Sequence, residues 1–142
     1  MKILWTDGSA SPNPGPGGFA VIEVKDDGAR PVVLGREKQT TNIRMEGSAM
    51  IAAIKYAGEE GCEIHSDSEF WINVLTKWAP AWESKGWKKS KGEIQNLDIV
   101  KELYGLYTLH DVKLVWVRGH VGTKYNELAD EWANKAREGA EI

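Results

Sequence analysis

The first 36 residues alternate between short apolar segments and turn residues, and this pattern restricts the fold more than any other feature of the chain. The segments 2–6, 19–24 and 31–36 have the length and composition of strands. Residues 26–28 (Asp-Asp-Gly) are typical of a hairpin turn. Residues 8–18 are rich in Gly, Pro and Ser and predict a wide turn. The three strands are therefore expected to form an antiparallel ribbon.

Beyond this ribbon the apolar residues follow a helical period. Met45, Ala49 and Ala53 belong to an amphipathic helix predicted at about 46–60, with Gly61 as its C-cap. Pro80 and Gly86 are expected to divide residues 78–92 into a short helix and a basic loop. The remaining predicted elements are strands at 63–66 and 112–116, and helices at 68–76, about 94–107 and 125–136.

The element order predicts an α/β fold. Strands separated by helices are joined by right-handed crossovers and lie parallel. We therefore expect a five-stranded mixed sheet, in which the first three strands are antiparallel, the fourth and fifth are parallel, and helices cover both faces. The length of 142 residues predicts a single domain, 1–142, with a basic protrusion at about 77–92. Ligands of such sheets bind beyond the carboxyl ends of the parallel strands.

Two acids, Asp7 and Asp67, follow strands that are expected to end at this edge. If the strands are neighbours, the carboxylates lie roughly 5 Å apart. Glu46 is expected to start the first long helix, and Asp130 lies in the first turns of the last one. Taken singly, each acid has a structural interpretation, as a turn-forming Asp or as a first-turn acid.

As a group, these four acids need a proton or a divalent cation to neutralise them. Carboxylate oxygens suit Mg²⁺ or Mn²⁺. Two such ions about 4 Å apart stabilise the attacking and leaving oxygens of a phosphoryl displacement. The pattern therefore predicts metal-dependent phosphodiester hydrolysis.

Positive charge is local in a chain whose net charge is −3. The segment 77–91 contains five lysines, Lys77, Lys85, Lys88, Lys89 and Lys91, and one acid, Glu83. Trp78, Trp82 and Trp87 are interleaved with them. Lysines bind phosphates, and exposed aromatic rings stack on bases. The alternative is a solvated lysine loop in which Trp78 and Trp82, four residues apart, form a core pair.

Four segments resemble, in order, the motifs of type 1 ribonuclease H. They are Thr-Asp-Gly-Ser at 6–9 with Asn-Pro-Gly-Pro-Gly-Gly at 13–18, Thr-Thr-Asn-Ile-Arg-Met-Glu at 40–46, Ser-Asp-Ser at 66–68, and Trp-Val-Arg-Gly-His-Val-Gly at 116–122 with Asn-Glu-Leu-Ala-Asp at 126–130. The resemblance covers essentially the whole chain. It implies cleavage of the RNA strand of RNA–DNA hybrids with two Mg²⁺ or Mn²⁺ ions, leaving 5′-phosphate and 3′-hydroxyl ends.

The resemblance also implies the roles of individual residues. The metal ligands are Asp7, Glu46, Asp67 and Asp130, and His120 assists proton movement and product release. The residues that face the substrate are Gly8, Asn13, Thr41, Asn42, Trp78, Trp82, Lys85, Lys88 and Lys89. The basic protrusion grips the DNA strand, and no separate hybrid-binding domain is expected.

Two positions near the expected substrate groove depart from the common family pattern, Ile43 in place of a second asparagine and Glu69 in place of glutamine. Ile43 cannot donate a side-chain hydrogen bond, and Glu69 adds negative charge near the phosphates. His65 lies in a predicted buried strand and is expected to pack there rather than bind a metal. With Cys62 as the single cysteine, no intrachain disulfide forms.

Three other functions are compatible with parts of this pattern. They are a DNA-cutting nuclease of the resolvase or integrase type, a non-catalytic nucleic-acid-binding module, and a sugar- or nucleotide-handling enzyme on a similar sheet. The Arg-Met-Glu and Gly-His-Val-Gly segments favour ribonuclease H. A cytoplasmic monomer without an obligate protein partner and without a membrane segment is expected.

Overall fold

The computed structural model describes residues 1–89, 91–119 and 123–142. Its centre is a five-stranded sheet with the strand order β3-β2-β1-β4-β5. The first three strands are antiparallel, and β1, β4 and β5 run parallel to one another. This confirms the predicted mixed sheet. The strands are β1 (Lys2–Ala10), β2 (Gly15–Lys25), β3 (Gly28–Thr40), β4 (Cys62–Ser66) and β5 (Val112–Trp116).

Helices cover both faces of the sheet, as predicted. They are α1 (Asn42–Ala57), α2 (Glu69–Asn73), α3 (Ala79–Ser84), α4 (Leu97–Leu109) and α5 (Lys124–Arg137), with a π-helical turn at Val74–Trp78 that joins α2 to α3. None of the described helices is both long and apolar enough to cross a lipid bilayer.

The first hairpin is tighter than the sequence predicts. The strands β1 and β2 extend through most of residues 8–18, so that only residues 11–14 form the turn. Ser9 pairs with Gly18 and Ala10 with Gly17. Gly18 is required there because a β-carbon would overlap the main chain of Arg137 in α5. Sheet pairing and helix packing therefore override the local turn propensity of these glycines.

Helix α1 begins four residues earlier than predicted. The Thr41 side chain caps it by accepting a hydrogen bond from the Arg44 N–H at 3.1 Å. Glu46 therefore lies in the second turn, and its prediction as a first-turn acid was wrong. The α-helix ends at Ala57, with Gly58 (φ of 58°) as its C-cap, and a 3₁₀ turn at Gly58–Glu60 follows. Gly61 is the C-cap of that turn, so it ends the helical segment as predicted but does not cap the α-helix itself.

Pro80 does not interrupt the helical segment 69–84. Proline has no N–H to donate and so disfavours a helix interior. Here the preceding turn is π-helical, and the Ala79 N–H bonds to the Val74 carbonyl, five residues earlier. This wider turn is the kind of local adjustment that accompanies π-bulges. The predicted short helix is α3, and the basic loop begins after Ser84.

The core is divided between the two faces of the sheet, because successive residues of a strand point to opposite sides. Leu4 belongs to the larger cluster under α1 and α4, whereas Trp5 belongs to the smaller cluster under α5. His65 stacks on Trp5 with a ring-centroid distance of 4.4 Å, and its Nε2 lies 2.6 Å from Oε2 of Glu63. The predicted packing role of His65 is confirmed.

Candidate active site

The topology places Asp7 and Asp67 side by side. β1 and β4 are parallel neighbours, and their register pairs Trp5 with His65. Asp7 lies two residues after Trp5, and Asp67 lies two residues after His65. The two acids are therefore at the same level of the sheet. Asp67 is the first residue after β4, and Asp7 is buried within β1. The predicted neighbouring pair of carboxylates is confirmed, but the predicted end of the first strand at Asp7 was wrong, because β1 continues to Ala10 where it pairs with β2.

Helix α1 brings a third carboxylate to this pair. Oxygen atoms of Asp7, Glu46 and Asp67 all lie within 4.8 Å of one another. Gly8 makes this approach possible, since a β-carbon there would overlap the main chain of α1 at Met45 and Glu46. The absence of a side chain at Gly8 thus sets the distance between β1 and the helix that carries Glu46.

The electrostatics of this cluster favour a cation. Burial, with a further contribution from Asp67, raises the pKa of Asp7 to about 9. Burial also raises the pKa of Glu46 to about 7, against a hydrogen bond from Ser68 that lowers it. Converging carboxylates that resist ionisation without a counter-charge fit a hard divalent cation, which their oxygens would ligate. The three residues therefore suit a divalent metal ion.

Asp130 lies in the second turn of α5, outside this group of three carboxylates. Its negative charge nevertheless contributes to the raised pKa of Asp7, so the two carboxylates interact electrostatically. Asp130 is therefore near enough to influence Asp7 but is not one of the three converging carboxylates. The other predicted catalytic residue, His120, lies outside the described residues.

Asn126 contributes to the site and was missed as a site residue. It is buried in the first turn of α5, and its Nδ2 donates a hydrogen bond to Oδ2 of Asp67 at 3.4 Å. Gly119 lies against the same carboxylate, because a β-carbon there would be 2.8 Å from that oxygen. The sequence feature that could have indicated Asn126 as a site residue is its spacing from Asp130. Asn126 precedes Asp130 by four residues, about one helical turn, and so lies on the same face of the helix.

The predicted substrate residues next to the acids also connect β1 to α1. Oδ1 of Asn42 accepts a hydrogen bond of 2.6 Å from the Ala10 N–H. The Asn42 N–H in turn donates to Oδ1 of Asn13 at 3.2 Å. Thr41 caps the helix. Together with Gly8, these residues form one hydrogen-bonded junction beside the carboxylates.

Trp78 and Trp82 line a groove at some distance from the acids. The groove has a volume of about 290 Å³ and is lined by Phe70, Trp78, Trp82, Lys89 and Gln95. Trp78 is 40% exposed, and its ring centroid lies 6.2 Å from that of Trp82. Trp82 is half-buried against the larger core. The two rings pack on each other, but they leave the face of Trp78 open to a ligand.

Three further predicted substrate residues, Lys85, Lys88 and Lys89, are exposed. Within residues 1–89, 91–119 and 123–142 none of the three forms a salt bridge. Their charge is therefore available to an anion.

The two departures from the family pattern lie at the same edge. Ile43 is 37% exposed, and its carbonyl accepts a hydrogen bond of 2.7 Å from Nε1 of Trp71. Glu69 is exposed in the first turn of α2, two residues after Asp67. An apolar side chain and an extra negative charge thus stand beside the carboxylate cluster.

Comparisons with known proteins agree with this geometry. The family model for RNase H matches residues 1–138. The ribonuclease H of Francisella philomiragia is 42% identical over 137 residues, which cover 94% of this chain and 89% of that protein. The ribonuclease H of Granulibacter bethesdensis is 39% identical over 137 residues, which cover 94% of this chain and 90% of that protein. A longer relative, from Methylorubrum extorquens, is 38% identical, and the match spans 95% of this chain but 59% of its own length.

Solved structures share the fold. LC9-RNase H1, a type 1 RNase H with the type 2 active-site motif, superposes with a TM-score of 0.80 at 27% identity, over 99% of this chain and 74% of that one. RNase H1 from Halobacterium salinarum superposes with a TM-score of 0.68 at 26% identity, over 98% of both chains. LC11-RNase H1, solved in complex with an RNA/DNA hybrid, has a TM-score of 0.69 at 23% identity, over 97% of both chains.

Proposed function

Because the chain belongs to the ribonuclease H family, we propose that it is an endoribonuclease that hydrolyses the RNA strand of RNA–DNA hybrids. The observation that supports this most directly is the convergence of Asp7, Glu46 and Asp67, with their oxygens within 4.8 Å of one another. Phosphodiester hydrolysis at a cluster of carboxylates requires divalent cations to offset the charge of both the acids and the phosphate.

The proposed metal ligands are Asp7, Glu46, Asp67 and Asp130, and the proposed metal is Mg²⁺, with Mn²⁺ as the alternative. Two such ions, when bound, would supply an activated water and neutralise charge that develops on the phosphate. Asn126 holds the Asp67 carboxylate in one orientation through its hydrogen bond. His120 is proposed to assist proton movement and product release, and the products carry 5′-phosphate and 3′-hydroxyl ends.

Substrate binding is divided between two regions in this proposal. Gly8, Asn13, Thr41 and Asn42, at the junction of β1 with α1, contact the RNA strand near the acids. The exposed face of Trp78, with Trp82 beneath it, packs against the DNA strand. The protrusion lysines that neutralise its phosphates are Lys85, Lys88 and Lys89.

RNA is distinguished from DNA by its 2′-hydroxyl, which lies in the wide minor groove of an A-like duplex. Asn42 and the neighbouring Ile43 stand beside the acids, where this groove would pass. The side-chain oxygen of Asn42 already accepts a hydrogen bond from the Ala10 N–H. The side-chain N–H₂ group of Asn42 is therefore the donor that remains for the substrate. We further propose that the protein works in the cytoplasm as a monomer.

The test is cleavage of an RNA–DNA hybrid with separate labels on its two strands, in Mg²⁺, in Mn²⁺ and in EDTA. The proposal predicts loss of the RNA strand only, in metal only, with 5′-phosphate ends. Matched double-stranded DNA and double-stranded RNA are the controls. Cutting of the DNA control would instead assign the protein to resolvase-like nucleases, and binding without cutting would make it a non-catalytic module.

A further inference from the structure

A basic groove that none of the roles above uses lies between β3 and the end of α5. It has a volume of about 770 Å³ and is lined by Pro16, Arg36, Glu37, Lys38, Gln39 and Arg137. Three of these residues are cationic and one is acidic. We refer to it as the β3–α5 groove.

The pairing of the strands puts Arg36 on the face of the sheet that α5 covers. Arg36 is the partner of Gly18, and a β-carbon at Gly18 would meet the backbone of Ala133 and Arg137 in α5. Paired residues point to the same side of a sheet. A β-carbon at Gly139 would also lie 2.6 Å from Nη1 of Arg36. The Arg36 guanidinium therefore lies against the C-terminal end of α5.

Arg137 is held in place by neutral groups. Its Nη1 donates to Oδ1 of Asn134 at 2.8 Å and to Oγ of Ser9 at 3.4 Å. The Ser9 hydroxyl itself donates to the same Asn134 oxygen at 3.0 Å. In the described part of the chain, neither Arg137 nor Arg36 nor Lys38 forms a salt bridge. A fixed guanidinium that no carboxylate neutralises is preorganised for an external anion.

Arg137 connects the groove to the carboxylate cluster through its hydrogen-bond partners Ser9 and Asn134. Ser9 follows Asp7 by two residues on β1, a distance of about 7 Å at the rise of a strand. Asn134 follows Asp130 by four residues on α5, about 6 Å at the rise of a helix. The basic protrusion follows α3, whose preceding helical segment packs under α1 on the opposite face of the sheet. The groove and the protrusion are thus separate cationic surfaces.

We propose that the β3–α5 groove binds the phosphate backbone of the strand that is cut, close to the scissile phosphate. This proposal rests on the proposed function, because it takes the RNA strand of a hybrid as the ligand. Arg36 and Lys38 bind phosphate, and Arg137 presents its remaining guanidinium donors to it.

The test uses the double variant R36Q/K38Q and a hybrid with one cleavable ribonucleotide stretch. Both side chains are exposed, so neither change disturbs the core. Lys25, exposed at the opposite end of β2, gives the matched control K25Q. At about 0.1 M salt the double variant should lose about tenfold or more in kcat/KM, and its salt slope should fall by about 1 per lost contact. The control should match the wild type.

The position of the contact is tested with hybrids that carry a single uncharged methylphosphonate linkage at successive positions on either side of the cleavage site. A neutral linkage at one of these positions should reduce cleavage by the wild type but not further reduce cleavage by R36Q/K38Q. Two results would contradict the proposed role of the groove while leaving the proposed hydrolysis intact. One is an equal effect of the neutral linkage on wild type and R36Q/K38Q at every position, and the other is a double variant with the same activity as K25Q. Failure of the wild type to cut the unmodified hybrid would overturn both proposals.

Discussion

Gly8 of β1 and Glu46 of α1 are in direct main-chain contact, with no room between them for a β-carbon at residue 8. This contact sets the height of the Glu46 carboxylate above Asp7 and Asp67. The geometry of the acid cluster therefore depends on the absence of a side chain in the neighbouring strand as much as on the acids themselves.

The substitution G8A tests this relationship. The added methyl group must push α1 away from β1, and overpacking of this kind costs about 1–3 kcal/mol. We expect a lower free energy of unfolding in urea. We also expect a reduced kcat, because the Glu46 carboxylate is moved away from those of Asp7 and Asp67. Gly105 lies on α4, where a β-carbon would meet no atom within 4 Å, so G105A is the matched control. Unchanged stability and kcat in G8A would contradict the role of this contact.

The exposed ring of Trp78 provides a prediction about binding. If a base or sugar packs on it, W78A should weaken hybrid binding by about 1–3 kcal/mol, roughly fivefold to 150-fold in Kd. The rate of cleavage of bound substrate should change little, since Trp78 lines a groove that does not include the acids. W78F retains an aromatic face and should recover most of the affinity in a fluorescence anisotropy titration. Equal affinities for wild type and W78A would show that Trp78 serves packing alone.

Glu23 is a buried carboxylate away from the acid cluster, and it gives a prediction about pH. Burial acts to raise its pKa, but the hydrogen bonds from Tyr56 at 2.6 Å and from Lys2 at 3.4 Å outweigh burial, and the pKa lies below its ordinary value. A lowered carboxylate pKa stabilises the fold above the ordinary pKa of 4.5. That contribution is lost as the pH falls through the lowered, folded-state pKa.

The variant Y56F removes the shorter of these hydrogen bonds without a large change in volume. At pH 7 it should lower the free energy of unfolding by about 1.5–3 kcal/mol, the range for a hydrogen bond to a charged group. The deficit should shrink as the pH falls below 4.5 and through the lowered pKa of Glu23, because the protonated side chain no longer provides a charged acceptor. Tyr107 is half-buried, and its hydroxyl has no hydrogen bond within the described ranges, so Y107F serves as the control. A deficit in Y56F that stays constant from pH 3 to pH 7 would contradict the account.

The sequence predicted the sheet and the acid cluster because both follow from local patterns. The hydrophobic period distinguishes the first three strands from the helices, and the chain order predicts that the later strands are parallel. The proximity of Asp7 and Asp67 was predicted on the condition that their strands are neighbours, and the pairing of β1 with β4 meets that condition. Glu46 and Asp130 were grouped with these two acids because they were expected near the starts of helices, and the resemblance to a known family then assigned their role as metal ligands and added His120.

The remaining features depend on contacts between distant parts of the chain. The start of α1 was misplaced because its cap, Thr41, follows directly on a strand without intervening turn residues. The hydrogen bond from Asn126 to Asp67 joins residues 59 apart, and its local sign is limited to the four-residue spacing of Asn126 and Asp130 on one helix face. The same holds for the approach of Gly18 to Arg137, which allows residues 15–18 to be strand rather than turn. Tertiary packing decided each of these against local propensity.

The central claim is that these carboxylates hold the metal with which the RNA strand is cut, and D7N tests it most directly. Asparagine keeps the size of the side chain and removes the negative charge that a metal ligand needs. The measurement is the rate of RNA-strand cleavage by wild type and D7N across a Mg²⁺ titration, with far-UV circular dichroism to verify the fold. We predict a folded D7N protein that binds the hybrid and shows no cleavage at any Mg²⁺ concentration. Near-normal turnover of D7N would contradict the assignment of Asp7 and the account built on it.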